Sequence, residues 1–173
     1  MAIVPLHPFG SPQEQLLDRS EVKSNSVFLA GLAEKLAANR ATVKAGWGEK
    51  YVERVHAKGK MTAWERVEAL KDEGAAVFPL GTFVNWERDF DHGGRTLQAP
   101  GAGVVTVLTK VEDRWVMIIA NDNTVASGSW WPQTPEKIER AQQIALRLRL
   151  PVVYLVDCSG LFLPEQAKSF PGQ

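Results

Sequence analysis

The sequence predicts an α/β fold, and three observations carry that reading. Apolar runs of strand length stand at residues 104–111, 115–120 and 152–156. Between the last two, the pattern changes to a helical period across residues 134–148. A separate helical pattern begins at Asn25, far upstream of all three. The second half therefore reads strand–helix–strand, with the right-handed crossover that such units adopt.

Taken in order, residues 1–24 carry Pro5, Pro8 and Pro12 and show no stable period, so they read as an extended arm that orders against a partner. From Asn25, Val27, Leu29, Leu32, Ala33, Leu36 and Ala37 recur at three- and four-residue steps, and Gly46 and Gly48 end the run. A short helix over residues 49–57 is broken by Lys58-Gly59-Lys60. Thr62-Ala63-Trp64-Glu65 is a capping box that starts a helix over residues 62–73, with Gly74 as its left-handed stop. The helical segment is thus 25–74. Residues 75–100 form a connector punctuated by Gly81, Gly93, Gly94 and Pro100, with Trp86 and Phe90 to pin it down. Residues 104–111 and 115–120 form an antiparallel pair turned by Glu112-Asp113-Arg114, and Val116 to Ile119 read as covered on both faces. Thr134 is placed to cap the next helix, with Pro135 at its first position. Ile138, Ala141, Ile144, Ala145 and Leu148 make its buried face. Pro151 opens the strand 152–156, which also reads as buried on both faces, and Asp157-Cys158-Ser159-Gly160 closes it.

The 173 residues are 45% apolar, enough for one domain with its own core. Twenty basic and twenty acidic side chains leave no net charge, which argues against a nucleic-acid binder. No apolar run is long enough to insert in a membrane, and the opening MAIVPLHPFG lacks the features of a secretory signal. Cys158, the single cysteine, forms no internal disulfide, and no metal site is expected. The composition suits a cytoplasmic protein.

Ligands of open α/β sheets bind outside the carboxyl ends of the strands, which here means two loops. Residues 121–129, Asn-Asp-Asn-Thr-Val-Ala-Ser-Gly-Ser, are small enough for a ligand to approach the backbone; the plainer reading is an ordinary connection. In the other loop, Ser159 lacks a Gly-x-Ser-x-Gly context and no histidine follows it, so a covalent hydrolase is disfavoured. His56, Lys58, Lys60 and Arg66 cluster near a helix start, where two readings stand: a solvated face or a phosphate contact.

Several linked blocks then show a family likeness. His56-Ala57-Lys58-Gly59-Lys60-Met61-Thr62-Ala63 with Glu65-Arg66-Val67, Pro100 to Thr106, Ala120 to Val125, Arg140-Ala141-Gln142, Arg149 to Asp157 and Phe162 to Gln166 occur in order. Together, over about residues 50–173, they resemble the biotin-dependent acyl-CoA carboxyltransferase subunits. Ser127-Gly128-Ser129-Trp130-Trp131-Pro132 and Cys158-Ser159-Gly160 look like the alpha subunit of glutaconyl-CoA decarboxylase. Phe162 to Gln166 and Phe170-Pro171-Gly172 resemble the beta subunit of methylcrotonyl-CoA carboxylase, while Trp64 departs from the family's arginine.

The resemblance implies a crotonase (ClpP)-like ββα spiral, here an incomplete N-terminal half occupying 101–173 after the helical segment. It implies carboxyl transfer between an acyl-CoA and biotin on a separate carrier protein or domain, through an enolate whose oxygen is held by backbone N–H groups. The direction, carboxylation or decarboxylation, depends on other subunits. Asn121, Thr124, Val125, Ser127, Gly128 and Ser129 are expected to line the CoA channel, with Ser159 and Gly160 near the thioester. Lys58, Lys60 and Arg66 are candidates for the CoA phosphates. The family's oxyanion segment is expected beyond residue 173, so no catalytic residue is assigned, and the chain should act within an oligomer beside the remaining carboxyltransferase portion. The alternative is a non-catalytic CoA-binding or assembly module, or an inactive fragment, associated with a full-length carboxyltransferase. A sheet ending at strand 152–156 would leave an unpaired edge, so the chain alone should fold poorly.

Overall fold

The computed structural model describes residues 9–169, apart from residues 11 and 18. The parts of the expected arm at 1–8 and the stretch Phe170 to Gln173 lie outside the described residues. The chain divides into two compact units, residues 1–39 and residues 40–173.

Residues 13–17 and 20–24 are helical rather than extended. A short helix α1 covers Gln13–Leu17, and α2 covers Ser20–Lys44, starting before Asn25. Ser24, Asn25 and Ser26 are poor helix formers, but each costs only a few tenths of a kcal/mol, and the Ala- and Leu-rich continuation carries the helix through them. No residue of α2 is buried, and Phe28, Leu29, Leu32 and Leu36 are all exposed.

In the second unit, α3 (Glu49–His56) ends at the Lys58-Gly59-Lys60 turn, where Gly59 adopts a φ of 68°. The next helix, α4 (Ala63–Leu70), begins on the full capping box: Thr62 Oγ1 accepts from Glu65 N, and Glu65 Oε2 accepts from Thr62 N at 2.7 Å. It stops at Leu70, before Gly74, because Asp72 is needed elsewhere. The Asp72 carboxylate accepts the backbone N–H groups of Glu112 and Asp113, and Asp72 N donates to Lys110 O. Those bonds clasp the turn of the central hairpin.

That hairpin joins β4 (Val104–Val111) to β5 (Arg114–Asn121). Strand β1 (Phe78–Leu80) adds antiparallel to β4, and β6 (Val152–Leu155) adds parallel to β5, giving the order β1-β4-β5-β6. The connector is also structured. Besides β1 it holds a hairpin of β2 (Asp89–His92) and β3 (Arg95–Gln98). Gly93 and Gly94 take the left-handed conformations that a two-residue turn requires. Phe90 is buried beneath this hairpin, while Trp86 is half-buried edge-on to Phe83.

Each face of the sheet carries a helix. Ala63 and Val67 of α4 pack with Val105, Val107, Val116 and Ile118 on one side. Ala141 and Ala145 of α5 (Thr134–Leu148) pack with Val104, Met117 and Ile119 on the other. The burial of β5 on both faces follows from this. A third cluster surrounds Trp131, which stacks on Phe162 at 4.1 Å between centroids.

Three expectations need correction. Thr134 is the first residue of α5 rather than its cap: its hydroxyl accepts from Trp131 N and donates to Ala102 O. Leu148 is exposed, whereas Lys137 is buried in the helix's inner face. Strand β6 is not covered on both faces; Tyr154 is 46% exposed, because β6 is the sheet's edge.

The capping box yields the first prediction. Thr62→Ala removes an acceptor for Glu65 N and should lower the unfolding free energy by about 1 kcal/mol in urea denaturation. An unchanged midpoint would show that α4 is fixed by packing alone.

Candidate functional site

The two loops identified from sequence meet at the carboxyl ends of β5 and β6. Arg66, on α4, holds those ends together. Its Nη1 donates to Leu155 O at 2.9 Å and its Nη2 to Asn121 O at 2.7 Å, the last carbonyls of the neighbouring strands. Burial lowers the Arg66 pKa, against the charges of Asp157 and Asp122, which raise it. Both terminal nitrogens are therefore committed to backbone.

Beyond Asn121 the loop is largely buried and ties itself down. Asp122 Oδ1 accepts Thr124 N at 3.1 Å and Thr124 Oγ1 at 2.6 Å. Asn123 Nδ2 donates to Met61 O and to Asp157 Oδ2. Asn121 Nδ2 donates to Gly128 O, and Asp157 N donates to Asn121 Oδ1. Thr124 lies hard against Gly46, and Val125 belongs to the Trp131 cluster. Ala126, Ser127 and Gly128 then take successive left-handed conformations, with φ of 46°, 55° and 77°. Two are not glycine, so the bend carries a steric cost that the surrounding contacts must offset. Ser127 sits exposed at its tip. Gly128 lies so close to Asp157 that a Cβ there would stand 1.9 Å from Asp157 O.

The second loop closes the site. Ser129 and Ser159 have their hydroxyls 2.8 Å apart, both within reach of Ala126 O. Trp130 N donates to Gly160 O and Phe162 N to Trp130 O, extending the parallel pairing one step past the strands. Ser159 and Gly160 are exposed. Beside them lies a mainly apolar groove of about 380 Å³, bounded by Ile119, Trp130, Tyr154, Val156, Cys158 and Leu161.

The basic cluster is divided by the fold. His56 Nε2 pairs with Glu65 at 2.9 Å, and that hydrogen bond, with the one from Thr62, holds Glu65 below the usual carboxylate range. Lys60 Nζ pairs with Asp157 Oδ1 at 2.8 Å. Burial pushes Asp157 up, but the Lys60 and Asn123 hydrogen bonds and the Lys60 and Arg66 charges outweigh it, leaving Asp157 below its ordinary value. Lys58 is exposed in the turn after α3.

Sequence reasoning missed Lys137 and Asp122. Lys137 Nζ donates to Gly101 O at 2.9 Å and to Val104 O at 2.6 Å. Desolvation lowers its pKa from 10.5 to about 7, with the Asp122 charge acting the other way. Asp122 is itself raised by burial, opposed by Thr124, Lys137 and Arg66. A signal for Lys137 was available, because it lies three residues after Thr134 and four before Ala141 on the buried helix face.

Comparison with known proteins gives likenesses in sequence and in fold. The family model of the carboxyl transferase domain matches residues 54–172. The methylcrotonoyl-CoA carboxylase beta chain of Arabidopsis thaliana is 36% identical over 148 residues, covering 86% of this chain and 24% of that one. The glutaconyl-CoA decarboxylase alpha subunit of Acidaminococcus fermentans is 32% identical over 119 residues, covering 69% and 19%. A transcarboxylase 12S structure, a hexamer with methylmalonyl-coenzyme A bound, superposes with a TM-score of 0.69 at 30% identity, covering 79% and 26%. The chain therefore spans about a quarter of the length of the first curated relatives it matches. The fold is the crotonase-like fold of the carboxyltransferases, in part. No helix among the described residues is long and apolar enough to cross a membrane.

Two predictions follow from the strand-end network. Arg66→Met leaves two carbonyls without donors and should lower the unfolding free energy by about 2–4 kcal/mol in urea, with Arg66→Lys in between; a loss under about 0.5 kcal/mol would show that other bonds hold the strands. The second concerns pH. Lys137 binds its proton more weakly in the folded chain than in the unfolded one, so its contribution makes stability rise with pH between about 7 and 10.5 and stay flat below. The difference in unfolding free energy between wild type and Lys137→Met, measured across that window, should show this slope; a pH-independent difference would refute it.

Proposed function

The chain belongs to the carboxyl transferase domain family, and from that premise we propose that it is the opening part of an acyl-CoA carboxyltransferase subunit. In this reading it transfers a carboxyl group between an acyl-CoA and biotin borne on a separate carrier protein, together with the remaining carboxyltransferase portion. The observation that carries it is the strained bend at 126–128, set against the Ser159–Gly160 turn where the parallel strands end. Strain held by its surroundings at the carboxyl ends of parallel strands marks a place built to present backbone to a ligand.

Ser127, Gly128 and Ser129 present that backbone to the CoA chain, and Asn121, Thr124 and Val125 hold the bend from below. Ser159 and Gly160 sit toward the thioester, with the apolar groove beside them. Lys58 and Lys60, both solvent-facing, supply cations for the CoA phosphates. Arg66 acts from beneath, as the clamp on the two strand ends. An enolate formed at the acyl carbon would need paired N–H donors for its oxygen. On the family resemblance those donors come from another segment of the carboxyltransferase. Nor does the site form a closed polar pocket for the ring of biotin: Asn121, Ser129 and Ser159 spend their polar groups on one another and on backbone.

A second reading, a binding or assembly module seated on a complete carboxyltransferase, is favoured by one feature. The edge strand shows Tyr154 and Val156 to solvent, with Leu163 nearby in sequence and also exposed. A partner that holds its own intact acyl-CoA site would support it.

Hydrogen exchange in a complex with the remaining part of a carboxyltransferase tests the main reading. CoA should slow exchange across 127–129 and 158–160 and leave the β2–β3 hairpin unchanged. Unaltered exchange at the bend would end the assignment.

A further inference from the structure

Lys137 is the buried ionisable group for which the site as described has no use. Its side chain leaves α5 and runs inward over Gly81, where a Cβ would lie 3.4 Å from its Cγ and Cε. The ammonium ends against two backbone carbonyls of the segment entering β4, Gly101 O and Val104 O. A small cavity of about 20 Å³, room for about one water, is bordered by both Lys137 and Asp122. Asp122 ties this spot to the bend. Its N–H donates to Gly103 O, and its carboxylate fixes Thr124. The ammonium thus joins the start of α5 to the turn before β4 by hydrogen bonds, and acts on the first residues of the loop after β5 through the charge of Asp122.

We propose that Lys137 is the positioning residue of the loop 121–129, its ammonium fixing the turn 101–104 and, through Asp122, the path of the loop. This rests on the reading of that loop as the acyl-CoA loop only for its functional meaning; the positioning itself is a property of the folded chain. An apolar side chain of the same length would fill the channel over Gly81 but take the ammonium donor from the buried Val104 O, leave the half-buried Gly101 O only its long bond from Val104 N, and remove the cation whose charge acts on Asp122.

The charged groups around the ammonium are few. Asp122, just past the end of β5, acts on it through its charge, and the Arg66 charge on α4 acts on the same carboxylate. Glu136 and Arg140 flank Lys137 along α5. From β1, β4 and the end of α2, the neighbours Leu80, Thr82, Thr106 and Val43 carry no charge.

The test uses the full chain, Lys137→Met and Asp122→Asn, followed by amide exchange and by ¹⁵N chemical shifts against pH. Lys137→Met keeps the packing of the stem and removes the ammonium. It should speed exchange in 101–104 and 121–129 by about tenfold or more while the centre of β4–β5 stays protected. In wild type, the amides of Gly103, Asp122 and Thr124 should titrate together with a midpoint near 7; Lys137→Met should abolish that titration and Asp122→Asn should move it to lower pH. Wild-type protection of the loop in Lys137→Met would overturn the proposal, since the stem alone would then suffice. Should Lys137→Met fail to fold, Asp122→Asn decides: unchanged exchange across 121–129 in that variant overturns the link from the ammonium through Asp122 to the loop. Loosening of the loop by Lys137→Met, in a chain whose loop CoA does not protect, supports the positioning role and retires only the ligand.

Discussion

Two parallel strands that end side by side leave carbonyls pointing away from the sheet, with no further strand residues to receive them. Everything at this site depends on how those carbonyls are satisfied. Arg66 meets both with one planar group, at Asn121 O and Leu155 O. A guanidinium suits this because its terminal nitrogens diverge at a fixed angle, which a lysine cannot reproduce. Once the ends are fixed, the loops that leave them are forced together. Gly128 comes so near Asp157 that no side chain fits between them, and Ser129 meets Ser159. The capping box of α4 belongs to the same chain of causes, since it sets where the helix starts and hence where Arg66 points.

Beneath the clamp the loop is built from polar residues that are nearly all buried. Asn121, Asp122, Asn123 and Thr124 each lie under a tenth exposed. Burying such groups is unfavourable unless they find partners, and here most of their polar atoms meet one another, Asp157 or backbone, while Asn123 Oδ1 is buried without one. The result is a loop whose path is specified by hydrogen-bond geometry more than by apolar packing. Lys137 and Asp122 extend that logic to charge. Neither is exposed to water, and each moves the other's titration toward the charged state.

How far the sequence revealed this depended on the kind of signal. The central strands, the crossover helix and the capping box were legible, because each rests on local periodicity or a short-range bond. The β2–β3 hairpin was not: Asp-Phe-Asp-His and Arg-Thr-Leu-Gln lack the β-branched content of ordinary strands, and what holds them is the Gly93-Gly94 turn and Phe90. For β6 the two signals disagreed: the apolar run suggested burial on both faces, since such a run looks alike at the centre of a sheet and at its edge, while the expected end of the sheet at 152–156 made it an unpaired edge, which it is. Among the candidate site residues, the 121–129 and 157–160 loops were identifiable as strand-end loops. The purpose of Arg66 was hidden, since its carbonyl partners lie 55 and 89 residues away. Lys137 was legible in its spacing from Thr134 and Ala141, but a lysine on a helix is ordinarily assigned to the solvent side, and that prior outweighed the spacing.

A site that works through backbone imposes a particular pattern on its side chains. No residue at the bend has to be a strong acid, base or nucleophile; each has only to be small, or to hold a neighbour in place. Small residues stand where another chain segment approaches, as Gly46 does against Thr124 and Gly128 against Asp157. Polar residues stand where a strand end or a turn would otherwise leave a donor or acceptor unmet. The charged residues lie a layer below, as Arg66 and Lys137, and act on carbonyls. Such a loop keeps its shape without bound ligand, because its bonds are internal, so binding would require little reordering. The steric cost of the left-handed turn at Ala126 and Ser127 is then the counterpart of that rigidity: the bonds beneath the bend hold it, and they leave Ser127 exposed at its tip.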